Sequence, residues 1–184
     1  MADARALVAK LTSREPTLGS SRLLAIDGPA GSGKTTVAER TARLLLANGQ
    51  TCRVLSLDDL YDGWDGLNPS LSARVIEQVL RPLANGGPAR WQQYDWAAGR
   101  FGRWRTFAAP STLVLEGCGA GAVALAPYTT LLAWVEVAEP LRSRRVVERD
   151  GPDVLAQLPG WRDAERRHFA ANRTPQRADL RVTP

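Results

Sequence analysis

The segment Gly28-Pro29-Ala30-Gly31-Ser32-Gly33-Lys34-Thr35 has the spacing G-x-x-x-x-G-K-[ST], and Thr36 follows it. Glycines let a backbone curl so that several N–H groups point at one anion. A helix that starts at the end of such a turn adds the positive end of its dipole. Lys34 then supplies a point charge for β- and γ-phosphates, and the Thr35 hydroxyl a ligand for Mg²⁺. Lysine occurs only at positions 10 and 34, so one of the two falls in this loop. The chemistry this pattern fits is the handling of a nucleoside triphosphate. The residues expected to cradle it are Gly28, Ala30, Gly31, Ser32, Gly33, Lys34, Thr35 and Thr36.

Carboxylates provide the second set of candidates: Asp27, the pair Asp58 and Asp59, and Glu116, each at the end of a short apolar run. In an open parallel sheet, ligands collect at the carboxyl ends of strands. Phosphoryl transfer to an alcohol needs one carboxylate to take the proton of the attacking hydroxyl. It needs another to hold Mg²⁺ directly or through water. Asp58 and Glu116 are placed for those two tasks. Ordinary loop acids or helix caps are the plain alternative, and it weighs most on Asp27 and Asp59.

These groups need elements to position them. Residues 3–13 have the apolar spacing of a short helix, and 34–47 of a longer one that Asn48-Gly49 stops. RLLAID (22–27), 51–57, STLVL (111–115), 130–137 and 178–182 read as strands. Ser70 is expected to cap a helix reaching about Ala84. Residues 88–110 hold Trp91, Trp96 and Trp104 among several arginines without a helical period, which predicts a hairpin. An arginine-rich helix is expected over 140–149 and another helix over 161–171. Strands alternating with helices predict an α/β fold, three layers of helix–sheet–helix around a mainly parallel sheet, in one domain spanning 1–184.

The chain has 184 residues, 44% of them hydrophobic, enough for a packed core. It has no apolar run of the ~18 residues a membrane span needs. Its first twenty residues lack the apolar stretch of a signal peptide, so a cytoplasmic location is expected. Cys52 and Cys118 are far apart and read as structural thiols. The net charge of +5 rests almost wholly on arginine, which grips phosphate with a planar fork and suits either a phosphate-handling enzyme or a nucleic-acid binder. The sole histidine, His168, reads as a structural residue on a helix.

In this order the residues resemble the family of uridine kinase, phosphoribulokinase and bacterial pantothenate kinase. IDGPAGSGKTT is similar to its phosphate loop, LSLDDLY (55–61) to its strand ending Ser-x-Asp-x-Phe-Tyr, Tyr94-Asp95-Trp96 to Tyr-Asp-Phe in its substrate hairpin, and LVLEG (113–117) to its magnesium strand. The resemblance spans about residues 22–150. It implies the P-loop nucleoside triphosphate hydrolase fold and an ATP- and Mg²⁺-dependent kinase acting on a small-molecule alcohol. Asp58 would be the general base, Thr35, Asp58 and Glu116 would serve the metal, and Tyr61, Tyr94, Asp95 and Trp96 would join Asp58 around the acceptor. Arg142, Arg145 and Arg149 would lie on a lid of about residues 140–152, with Lys34 and Arg145 acting on the transferred group. One departure stands out: the family's nucleoside kinases carry a base-reading histidine just after Tyr-Asp-Phe, where this chain has Ala97-Ala98-Gly99-Arg100. Arg100, Arg103 and Arg105 instead suggest an anionic acceptor.

Other classes fit less well. A regulatory GTPase needs Asn-Lys-x-Asp, which does not occur, and a transporter ATPase needs a Ser-Gly-Gly signature, also lacking. The alternative retained is a P-loop ATPase working with a nucleic-acid or protein partner. A homodimer is the assembly allowed for.

Overall fold

The structure, a computed structural model, describes residues 2–184. Strand β1 (Arg22–Asp27) is apolar almost throughout because both of its faces are covered. Leu23 and Ala25 point into one core and Leu24 and Ile26 into the other, as strand alternation requires. β5 (Thr112–Glu116) and β6 (Leu131–Val135) flank it and are buried along their whole length. With β2 (Cys52–Ser56) and β7 (Leu180–Val182) they form a five-stranded parallel sheet in the order β2-β5-β1-β6-β7.

Helices α1 (Ala2–Thr12) and α2 (Lys34–Ala47) cover one face, where Leu7, Leu11, Val37 and Leu45 meet Leu24, Ile26, Val114 and Ala133. On the other face α3 (Pro69–Val75) and α6 (Leu158–Asn172) pack Leu71, Val75 and Trp161 against Leu23, Leu113 and Leu115. Each fully buried leucine contributes roughly 1.5–3 kcal/mol relative to an exposed one. α5 (Glu139–Asp150) and the short α7 (Thr174–Arg177) complete the layers. After β2 at one edge the chain enters β5 between β2 and β1, then crosses to β6 on the far side of β1. This reversal opens a crevice at the carboxyl ends of the central strands.

Several boundaries differ from the sequence-based expectation. The helix expected from Ser70 is capped by Asn68, whose side-chain oxygen accepts from the Ser70 amide at 2.9 Å. It is not continuous: a π-turn at Ile76–Leu80 leads into α4 (Arg81–Ala84), just before Pro82. Proline has no N–H for the helical ladder and its ring crowds the preceding turn, so the ladder opens there. Glu116 lies within β5 rather than beyond it, so the sheet itself holds its backbone. α6 begins at Leu158, three residues earlier than expected. The hairpin expected over 88–110 forms as β3 (Ala89–Asp95) and β4 (Arg100–Phe107), an antiparallel pair separate from the main sheet. Among the described residues no helix is long and apolar enough to cross a membrane.

Candidate active site

The candidate phosphate loop, 28–35, follows β1 directly and ends in the first turn of α2. Gly31 (φ 76°) and Gly33 (φ 98°) adopt the left-handed conformation that curls the loop. A Cβ at Gly31 would run into the Arg142 carbonyl, so this glycine also lets α5 rest on the loop. The first-turn amides of α2 have no helical acceptor. The Ser32 hydroxyl is buried without a partner among the described residues. A cradle of amides, an orphaned buried hydroxyl and a buried lysine fit a phosphate chain.

Lys34 donates from Nζ to the Pro29 carbonyl at 3.0 Å and lies 3.5 Å from Cys118 Sγ. Burial pulls its pKa down, but its anionic surroundings, which include Glu116, Glu165 and Asp27, more than offset that and hold it above the ordinary lysine value. The ammonium therefore stays charged inside the protein.

Glu116 stands at the carboxyl end of β5, buried, and its Oε1 accepts from the Thr35 hydroxyl at 3.3 Å. Burial raises its pKa, while Lys34, Ser56 and Thr35 favour the charged form. A hydroxyl and a carboxylate in contact beside a phosphate cradle suit Mg²⁺, which takes few protein ligands and completes its shell with phosphates and water. Among the described residues no cluster of three or more His, Cys, Asp or Glu side chains forms a dedicated metal cage.

The paired acids after β2 part company. Asp58 is the middle residue of the 3₁₀ turn Leu57–Asp59, and its amide donates to Ser56 Oγ at 3.3 Å. Its carboxylate lines the cavity and keeps a solvent face, yet the cavity walls strip enough water to raise its pKa despite the pull of Arg149 and Lys34. Asp59 turns the other way and accepts from Gln93 Nε2 at 2.9 Å, fastening the hairpin. Asp27 is structural: fully buried, it accepts the amides of Gly28 (2.7 Å), Gly119 (3.0 Å) and Gly121 (2.8 Å) and so ties the phosphate loop to the loop after β5. Burial pushes its pKa up to about 6, against those three bonds and Lys34.

A cavity of about 810 Å³ lies between the loop, the strand ends and α5. Lys34, Thr35, Asp58 and Glu116 share it with Arg145 and Arg149 of α5. Arg145 Nη1 makes long contacts to the carbonyls of Ser32 (3.4 Å) and Gly31 (3.5 Å), and Arg149 is held in a two-point pair with Asp150, both bonds 2.7 Å. Arg142 contributes its backbone to the loop contact, while its side chain lines a separate groove with Trp134, Glu136 and Arg181.

The acceptor residues expected from the hairpin divide. Trp96 reaches the cavity, and its Nε1 donates to the Asp58 carbonyl at 3.0 Å. Tyr94 is buried behind it, packed on Trp96 and Phe101, and does not line the cavity. Asp95 accepts from the Ala98 amide at 2.9 Å and shapes the hairpin turn, outside the cavity. Alternation along β3 turns Asp95 away from Tyr94, whereas Tyr94 packs against the Trp96 ring and differs from it in depth of burial. Arg100, Arg103 and Arg105 sit on the exposed β4 and are likewise not among the lining residues. Tyr61 does line it, with its hydroxyl donating to the Cys118 carbonyl at 2.8 Å. His168 lies on α6 beside Asn172, away from the cavity.

Sequence reading missed Glu165, Trp161 and Trp64. Glu165 Oε1 accepts from the Ala30 amide (2.6 Å), Trp161 Nε1 (2.8 Å) and Cys118 Sγ (3.1 Å), under the phosphate loop. Trp161 and Trp64 join Tyr61 and Trp96 in the cavity wall. Glu165 and Trp161 sit four residues apart on one helix face, a spacing visible in the sequence, but only the fold shows which loop that face meets.

No protein-family model matches the chain, and no curated protein does. Solved structures do. A provisionally named uridine kinase from Bacillus stearothermophilus superposes with a TM-score of 0.73 at 18% identity, covering 97% of this chain and 96% of its own. A provisionally named fructose transport system kinase from Silicibacter sp. TM1040 gives a TM-score of 0.72 at 20% identity, with 97% and 98% covered. The likeness runs nearly end to end in both directions, and with the phosphate loop at the crevice of a β2-β5-β1-β6-β7 parallel sheet it establishes that this chain has the three-layer α/β fold of the P-loop kinases.

Proposed function

We propose that the protein is an ATP- and Mg²⁺-dependent small-molecule kinase that moves the γ-phosphoryl group to an acceptor hydroxyl. The observation that carries this reading is the convergence of Lys34, the Thr35–Glu116 pair and Asp58 on one cavity, with Arg145 and Arg149 across it. A carboxylate that keeps a solvent face beside a phosphate cradle is what proton removal from an alcohol requires.

The acceptor oxygen attacks the γ-phosphorus as its proton passes to the Asp58 carboxylate. The new O–P bond forms while the bond from γ-phosphorus to the β,γ-bridging oxygen breaks, and ADP leaves with that electron pair. Lys34 and Arg145 set positive charge against the transferred group, and the loop amides orient it. Thr35 and Glu116, with Asp58 beside them, would hold Mg²⁺, which supplies charge neutralisation at the phosphate oxygens. α5 limits water access to the cavity.

The test is ADP release with ATP, Mg²⁺ and a panel of alcohols, comparing the parent protein with Asp58→Asn. Loss of a general base costs about 10²–10⁴-fold in rate. The variant should fall by that much while still binding ATP; transfer at the parental rate removes Asp58 from the role. A partner-dependent ATPase is the second reading, favoured by the exposed ribbon of β4, where Arg90 lies 4.7 Å over the Trp104 ring. Hydrolysis stimulated by a polyanion, with no alcohol turned over, would replace the first reading by the second.

A further inference from the structure

We propose that the acceptor is an alcohol carried on a flat, largely apolar ring, held by stacking rather than by hydrogen bonds to a polyhydroxylated body; this rests on the kinase reading above. The cavity wall away from the phosphate loop is aromatic: Tyr61, Trp64, Trp96 and Trp161. The rings meet edge to face, Trp64 with Trp96 at 5.5 Å and 66°, Trp64 with Trp161 at 5.9 Å and 85°, Tyr61 with Trp161 at 5.0 Å and 75°. Trp64 and Trp96 remain 38% and 42% exposed, whereas Trp91, Trp134 and Trp161 are buried. Two large rings left uncovered inside a cleft mark a surface awaiting an apolar face.

Three of the four polar atoms of this wall are already engaged, and Trp64 Nε1 makes no hydrogen bond among the described residues. Trp96 Nε1 donates to the Asp58 carbonyl (3.0 Å), Trp161 Nε1 to Glu165 (2.8 Å) and the Tyr61 hydroxyl to the Cys118 carbonyl (2.8 Å). The wall therefore offers ring faces and few donors. The guanidinium of Arg149 is paired at two points with Asp150, and the hairpin arginines lie outside the cavity. A sugar entering here would bury hydroxyls with few partners, and each unpaired one opposes binding. An anionic acceptor would have to share Lys34, Arg145 and Arg149 with the nucleotide, and Arg149 is already paired with Asp150. A ring alcohol avoids both costs. Its single hydroxyl would meet Asp58, whose backbone carbonyl is bonded to Trp96 of the same wall.

The experiment uses the whole chain and two readouts. The first is ADP release with 2-phenylethanol and cinnamyl alcohol against fructose, ribose, ribose 5-phosphate and uridine. The second is quenching of tryptophan fluorescence by the same compounds. Aromatic alcohols should half-saturate ADP release at concentrations about tenfold or more below the others, one aromatic contact being worth about that factor. Trp64→Ala should raise their half-saturation about tenfold without moving the KM for ATP, and Trp64→Phe, which keeps a ring face, should recover most of the loss. Fructose, ribose or uridine saturating below the aromatic alcohols would overturn the inference and leave the kinase reading intact. Quenching by aromatic alcohols with no ADP from any compound would overturn the kinase reading but keep the aromatic site. No quenching and no aromatic-dependent ADP would overturn the inference, as would a Trp64→Ala protein with parental half-saturation.

Discussion

Glu165 offers a sharp test of how the phosphate loop is held, because one carboxylate oxygen serves three donors from three places in the chain: the Ala30 amide, Trp161 Nε1 and Cys118 Sγ. The side chain is 3% exposed, so water does not readily replace it. In Glu165→Leu the volume is retained and the bonds are lost. Each of the two N–H donors left unpaired costs about 1–3 kcal/mol, and Lys34 loses a neighbouring anion. Removing the carboxylate also returns its own desolvation cost, which pulls the sum towards the low end. The expected loss is about 2–5 kcal/mol out of the 5–15 kcal/mol typical of a domain. Glu165→Gln keeps an oxygen in place and should lose less than half as much. Urea unfolding at neutral pH measures the stability, and titration with a fluorescent ATP analogue measures the loop, whose affinity should fall in the leucine variant. If Glu165→Leu unfolds within about 1 kcal/mol of the parent and binds nucleotide equally well, the carboxylate is not what positions the loop.

Asp27 predicts a pH dependence. Its native pKa of about 6 lies above the ordinary value of 3.8, so the folded protein keeps this proton to higher pH than the unfolded chain. Its contribution is full below pH 3.8, lost as pH rises towards 6 and level above, about 3 kcal/mol in all. Urea unfolding across that window should fall less steeply with pH for Asp27→Asn, and identical slopes would reject the assignment. Gly31→Ala should weaken ATP binding and lower stability, since a left-handed backbone and contact with the Arg142 carbonyl both oppose a methyl group; an unchanged melting temperature would mean that α5 does not rest on the loop. Thr35→Ala removes a hydroxyl bonded to Glu116 and should raise the Mg²⁺ concentration needed for half-maximal turnover, whereas an unaltered requirement would place the metal elsewhere.

The phosphate loop, its strand and its helix were legible without a structure because the features that announce them are local. Glycine spacing sets the curl, and the apolar runs of β1, β5 and β6 announce strands covered on both faces. The acids at 27, 58 and 116 could be placed at strand ends, since that follows from chain order alone. Side-chain direction could not. Asp58 and Asp59 are neighbours, yet one faces the cavity and the other Gln93; Tyr94 and Asp95 fall away from the cavity while Trp96 enters it. A one-residue step turns a side chain to another face, and between Tyr94 and Trp96, which pack on one another, only depth of burial decides which ring meets the cavity. Nor could any local pattern bring Glu165 under Ala30, 135 residues away, or gather Tyr61, Trp64, Trp96 and Trp161 into one wall. Those meetings depend on α6 and the hairpin docking over the same end of the sheet, which the burial of their apolar faces determines collectively.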